Sequence, residues 1–161
     1  YISFFFYIYY NKEILTPFAA DLTSPAAPLY YKKEREGSAM SSITIRRCCI
    51  GEGRPKVIVP IVERTEAAIL QKAAAFSTSS ADCVEWRADW FADALDADAL
   101  SRCLRGLRAA LGEKLLLVTF RTQAEGGEAV LTADQYAAFC AAVCASGCAD
   151  LLDIEFFSAG E

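Results

Sequence analysis

Four short apolar runs separated by segments of helical periodicity constrain this chain more than any other feature. Lys56 to Val62, Cys83 to Arg87, Lys114 to Arg121 and Asp150 to Glu155 read as short, mostly apolar strands. After the first, Ile69, Ala73 and Phe76 recur at helical spacing. After the second, Leu100, Cys103, Leu104, Leu107 and Leu111 do the same, and Gly112 stops that helix. Thr132 with Gln135 three residues on opens a third helix as a capping box, and an apolar stripe from Tyr136 to Val143 carries it towards Gly147. Strands alternating with helices pair in parallel through crossover connections.

Two architectures meet that requirement, an open doubly wound sheet and a closed barrel. No G-x-G-x-x-G or G-x-x-x-x-G-K-[ST] run stands at a strand-to-helix turn, which removes the usual phosphate cradle of the open sheet. Charges instead gather where several different strands end, the distribution expected of a (β/α)8 TIM-type barrel. Such barrels take ~250 residues, so the four strands read in this chain of 161 make about four βα units, half of a barrel. Ahead of the first strand, Ile43 to Arg47 and Lys56 to Val59 flank Gly51-Glu52-Gly53. This spacing predicts a hairpin-like lid over the barrel floor.

The strand ends carry the chemistry. Glu85 and Arg87 are two apart, so on a strand they share one face while Val84 and Trp86 take the other. Taken alone, the pair reads equally well as a structural ion pair at a strand end or as a substrate-facing acceptor and donor. Val118-Thr119-Phe120-Arg121-Thr122 ends in the same way and runs on to Glu125-Gly126-Gly127-Glu128.

In order and spacing, four motifs resemble the first half of the type I 3-dehydroquinate dehydratases. They are Gly51-Glu52-Gly53-Arg54-Pro55-Lys56, Glu85-Trp86-Arg87-Ala88-Asp89, Thr119-Phe120-Arg121-Thr122 with Glu125-Gly126-Gly127-Glu128, and Ser146-Gly147-Cys148-Ala149-Asp150-Leu151-Leu152-Asp153-Ile154-Glu155. The resemblance covers residues 40–161. It implies a barrel enzyme that dehydrates 3-dehydroquinate to 3-dehydroshikimate through a Schiff base, a step of the shikimate pathway of aromatic amino-acid biosynthesis. By the same resemblance Glu85 and Arg87 face the substrate's hydroxyls with Arg121 alongside them. Glu125 orients and charges a catalytic His, and Asp153 and Glu155 support the reactive amine. An ion-pair layer inside the barrel is the competing account of those last two. Pro60 matches a position where some family members touch substrate with a small hydroxyl residue; a proline offers only its carbonyl there.

Family chemistry also needs a Schiff-base Lys and a proton-shuttling His. The composition has no His, and Lys12, Lys32, Lys33, Lys56, Lys72 and Lys114 lie away from the family position of the amine. The expectation is therefore an inactive fragment of the lyase. The alternatives are a non-catalytic half-barrel interaction module and another Schiff-base barrel enzyme such as an aldolase.

The remaining features set the context. Residues 1–39 read as an unstructured or non-native upstream extension. The aromatic run from Tyr1 to Tyr10 is far short of the ~20 residues that span a bilayer and lacks a basic start. Met40 stands where a family member is expected to begin. A net charge of -5 without a basic stripe argues against nucleic acid. Seven Cys with no His and no C-x-x-C pair fit thiols in a reducing cytoplasm rather than a zinc site, although Cys140, Cys144 and Cys148 recur at helical spacing. The expected partner is a small-molecule substrate, with no metal, cofactor, nucleic acid or membrane, and the full-length protein is expected to be a homodimer.

Overall fold

The computed structural model describes residues 6–7 and 42–155. Strand β1 (Phe6–Tyr7) is followed by β2 (Ile43–Ile45), β3 (Cys48–Ile50), β4 (Ile58–Ile61), helix α1 (Glu66–Ser77), β5 (Cys83–Arg87), α2 (Ala97–Leu111), β6 (Leu115–Thr119), α3 (Ala133–Ser146) and β7 (Leu151–Asp153). Strands β4 to β7 are parallel neighbours in sequence order, and β1 pairs antiparallel with the far side of β7. The remainder of the stretch expected to be an extension lies outside the described residues.

Side-chain alternation settles which parallel architecture this is. Ile61, Val84, Trp86, Leu116, Val118 and Leu152 point one way, into a core shared with Ile69 and Ala73 of α1, Leu104 and Leu107 of α2 and Phe139 and Val143 of α3. All three helices thus cover the same face. A doubly wound sheet would carry helices on both and reverse its strand order. The opposite face is apolar at its lower end, where Cys83, Leu115, Leu117 and Leu151 pack against Ile45 with Ile43, Cys48 and Ile50 of the β2–β3 hairpin. A plugged floor and a helical outer layer are the organisation of a barrel wall.

The expected lid exists, but its turn is elsewhere. Instead of bending around Gly51-Glu52-Gly53 to meet Lys56 to Val59, the chain turns at Arg46 and Arg47, pairing Ile43 with Ile50 and Ile45 with Cys48. Arg46 adopts the left-handed region at φ 52, a conformation that normally selects Gly or Asn. What holds it there is tertiary. Arg46 Nε donates to Asp150 Oδ1 at 2.6 Å, and the same buried carboxylate accepts from Arg108 Nη1 at 2.8 Å and from the Leu116 amide at 2.9 Å. Asp150 therefore ties the floor hairpin to α2 and β6.

The helices begin and end where their capping residues dictate. Thr132 and Gln135 form the reciprocal capping box at the start of α3, and Gly147 closes it in the left-handed conformation. Asp96 caps α2 by accepting from the Ala99 amide at 2.7 Å. The starts at Asp96 and Thr132 bound the loops that follow β5 and β6 at the upper rim of the sheet, and Gly147 bounds the turn into β7 at the floor.

Candidate active site at the strand ends

The face that is apolar at the floor becomes polar at the top. In the strand register Pro60 stands opposite Glu85, Glu85 opposite Leu117, Arg87 opposite Thr119 and Thr119 opposite Asp153. Glu85 Oε1 accepts from the buried Thr119 hydroxyl at 2.8 Å. One hydroxyl thus fixes the carboxylate's direction along the wall.

Beyond Thr119 the chain leaves the sheet through Phe120, whose ring packs edge-on against Phe139 of α3 with centroids 5.0 Å apart. That anchor sets Arg121 at the rim. Its guanidinium collects three carboxylates. Nη1 donates to Glu125 Oε2 at 2.7 Å and lies 3.6 Å from Glu155 Oε1, and Nη2 donates to Asp153. Burial works against the Arg121 charge, but Asp153, Glu155 and Glu125 outweigh it and raise its pKa. For Asp153 the balance runs the other way: burial, aided by Glu85 and Glu125, raises its pKa despite the Arg121 pairing.

The loop from Thr122 to Ala129 is a compact device built on the same residues. Thr122 donates both its amide, at 2.7 Å, and its hydroxyl, at 2.8 Å, to the two oxygens of Glu155, a side chain on a residue only 2 % exposed. A short 3-10 turn, Gln123–Glu125, ends on Gly126 at φ 85. Gly127 then comes back under Arg121 so closely that a Cβ would lie 1.8 Å from the Arg121 carbonyl oxygen. Only glycine fits that crossing.

Tyr136 of α3 closes the lower side. Its hydroxyl accepts from the Glu155 amide at 2.9 Å and donates to the Asp153 carbonyl at 3.5 Å. Burial raises the phenol's pKa, so it stays protonated. On the other flank Arg87 forms a two-point pair with Asp89, Nε to Oδ1 at 2.8 Å and Nη2 to Oδ2 at 2.7 Å. That pairing raises the Arg87 pKa. The Asp89 carboxyl, penalised by burial, is nevertheless held below its ordinary value by the hydrogen bonds and charge of Arg87.

The structure therefore brings Glu85, Arg87, Arg121, Glu125, Asp153 and Glu155 to one end of the sheet. Pro60 is exposed in the same row. Glu125, expected to face a His, here pairs with Arg121. Four polar residues in the network were not expected from the sequence: Asp89, Thr119, Thr122 and Tyr136. Thr119 could have been inferred from its place in the strand, two residues from Leu117 on the inward face. Thr122 and Tyr136 act through partners 17 to 33 positions away, and Asp89 joins the neighbouring Arg87 to amides 32 and 39 positions away, distances over which local pattern carries no signal.

A one-sided helical layer, a plugged floor and a charged rim spread over three strands and their loops define this as part of a (β/α)8 barrel of the enzyme-bearing kind. The family model for type I 3-dehydroquinase matches residues 57–161, and the chain belongs to that family. The 3-dehydroquinate dehydratases of Bacillus licheniformis and Enterococcus faecalis are each 40% identical to it, over 116 and 119 residues, which is 72% and 74% of this chain. Those stretches are 46% and 47% of the relatives, so the chain spans about half the length of the curated relatives it matches. Among solved structures, the Clostridium difficile type I 3-dehydroquinate dehydratase with covalently modified comenic acid superposes with a TM-score of 0.71 at 32% identity, covering 73% of this chain and 46% of that one. The Enterococcus faecalis enzyme gives 0.67 at 38% identity, over 72% and 48%.

Proposed function

We propose that this chain supplies the substrate-holding half of a type I 3-dehydroquinate dehydratase, which removes water from 3-dehydroquinate to give 3-dehydroshikimate. The observation that carries the reading is the charge arrangement at the strand ends. Five carboxylates, Glu85, Asp89, Glu125, Asp153 and Glu155, surround two guanidiniums, Arg87 and Arg121. Fully ionised, the group carries three negative charges in excess. Such a rim complements cations, and the Schiff-base route has two: the iminium formed when a Lys amine condenses with the ring ketone, losing water and taking up a proton, and the imidazolium formed when a His takes the neighbouring proton. Proton transfer from that imidazolium then lets the ring hydroxyl leave as water.

In this reading the sequence, which has no His, contributes binding and orientation, and the amine and imidazole belong to the remaining strands of the barrel. Arg87 and Glu85 hold substrate hydroxyls as donor and acceptor, with Arg121 beside them. Glu125 serves the imidazole, while Asp153 and Glu155 favour the protonated amine's side of the site. Pro60 contributes its carbonyl alone.

The test joins this chain to the second half of the Enterococcus faecalis enzyme and follows the conjugated enone of 3-dehydroshikimate by its ultraviolet absorbance. The joined protein is expected to turn over 3-dehydroquinate and the 161-residue chain alone to be inert. Turnover by the chain alone, or a folded joined protein without activity, would overturn the proposal.

A further inference from the structure

One carboxylate in the rim has no task in the reaction just described. Asp89 sits in the short 3-10 turn Ala88–Trp90 that follows β5, and its side chain is wholly shielded from solvent. A buried carboxylate is costly unless its lone pairs are met. Here four donors meet them. Oδ1 accepts from Arg87 Nε at 2.8 Å and from the Arg121 amide at 3.4 Å, and Oδ2 accepts from Arg87 Nη2 at 2.7 Å and the Glu128 amide at 3.2 Å. Two of these donors belong to the guanidinium at the end of β5, and two belong to the backbone of the loop that carries Arg121 and Glu125.

The geometry has a direct consequence for Arg87. A guanidinium gripped along its Nε–Nη2 edge by a fixed carboxylate loses its rotational freedom, and its remaining edge is presented at a set angle. Among the described residues Nη1 has no hydrogen-bond partner. We infer that Asp89 is a positioning residue: it orients Arg87 towards the substrate and locks that orientation to the Arg121–Glu128 loop. The inference rests on the proposed function for its substrate, but the Arg87–Asp89 coupling stands on the geometry alone. Because Asp89 is fully occupied by protein donors, it acts through Arg87 and not by contact with the ring.

The test is a double-mutant cycle in the joined protein, read as KM and kcat separately. Asp89→Asn preserves shape and removes the charge that holds both guanidinium nitrogens. It is expected to raise KM about tenfold or more, the scale of one charge-assisted hydrogen bond, and to leave kcat within about twofold. In an Arg87→Ala background the same change is expected to raise KM by less than about twofold, since the group it positions is gone. A merely structural Asp89 would lower the melting temperature alike in both backgrounds and leave this difference absent. An unchanged KM, or an equal rise in both backgrounds, would overturn the inference. Arg87→Lys covers the case in which Asp89→Asn fails to fold, because it leaves Asp89 its two backbone donors and keeps the charge while losing the two-point grip. Its KM is expected to rise to the same degree, and a KM like that of the unsubstituted protein would overturn the positioning role. If the unsubstituted joined protein makes no 3-dehydroshikimate, the proposed function falls, and the coupling is read without substrate in the chain itself. The Arg87 Nε–H signal in a 15N-labelled sample is expected to lose its protection from hydrogen exchange in Asp89→Asn, and undiminished protection would overturn it.

Discussion

Arg121 and Glu125 touch each other, yet the roles proposed for them separate in kinetics. Arg121→Ala in the joined protein removes charge-assisted hydrogen bonds worth roughly 1.5 to 3 kcal/mol each, and the loss is expected mainly in KM. Glu125→Gln keeps the shape and removes a charge that favours a protonated His, so the acid limb of the pH–rate profile is expected to move to lower pH with KM little changed. An unmoved acid limb would leave Glu125 as a partner of Arg121 only. Two carboxylates of the same rim also oppose each other in stability. The folded-state pKa of Asp89 is lowered, so its contribution is present above the unfolded value of about 3.9 and is lost as pH falls through the folded value. Asp153 is raised, so its contribution is present below about 3.9 and is lost as pH rises through its folded value. Urea unfolding of the chain at acid and neutral pH is expected to show Asp89→Asn flattening the acid-side loss and Asp153→Asn flattening the loss on the way up. The charged pairs themselves were legible because Glu85 and Arg87 break an apolar strand on one face only. The burial of Asp89 was not, because two of its four donors are amides 32 and 39 positions further on, and nothing in the run Arg87-Ala88-Asp89 records them.

At the scale of elements, legibility follows whether the deciding contact is local. The capping box at Thr132 and the glycine stop at Gly112 involve residues within four positions, and both helices begin or end there. The floor hairpin does not, since its turn sits at Arg46 through an ion pair with Asp150, 104 positions away, while the nearby Gly51-Glu52-Gly53 offers stronger turn chemistry and draws the expectation to the wrong place. The loop after β6 combines both kinds of constraint and yields a paired prediction. Gly127→Ala would put a methyl 1.8 Å from the Arg121 carbonyl oxygen and 2.4 Å from its carbon. Backbone must therefore move, at a cost of about 1 to 3 kcal/mol, and Arg121 moves with it. Thr132→Ala, on the next helix, removes a cap worth about 1 kcal/mol without displacing any rim residue. Thermal melts are expected to show both variants destabilised, with a loss of kcat/KM in the joined protein of at least about tenfold for Gly127→Ala only. Equal activities in the two variants would mean that the loop's path does not set the site.

Over the whole molecule, the same side-chain alternation that builds two cores also leaves one side of the sheet short of cover. The helical face is sealed by α1, α2 and α3, and the floor by the hairpin, but β4 has no strand on its outer side among the described residues. Around it Val57, Ile58 and Val62 are 50%, 41% and 42% exposed. An open strand edge with adjoining aliphatic surface is a template for pairing with another chain, and in a closed barrel that edge would be filled by the last strand. The chain by itself is therefore expected to self-associate in sedimentation equilibrium. Ile58→Lys is expected to shift it towards monomer, because a charge on an edge strand opposes edge-to-edge pairing. In the joined protein the same substitution has the opposite sign. There Ile58, pointing inward opposite Cys83, is expected to be covered, and the lysine would bury an unpaired ammonium, lowering the melting temperature by several degrees or more. Association of the chain that is unaffected by Ile58→Lys would place the contact on another surface. A joined protein indifferent to it would mean that the added strands do not close against β4.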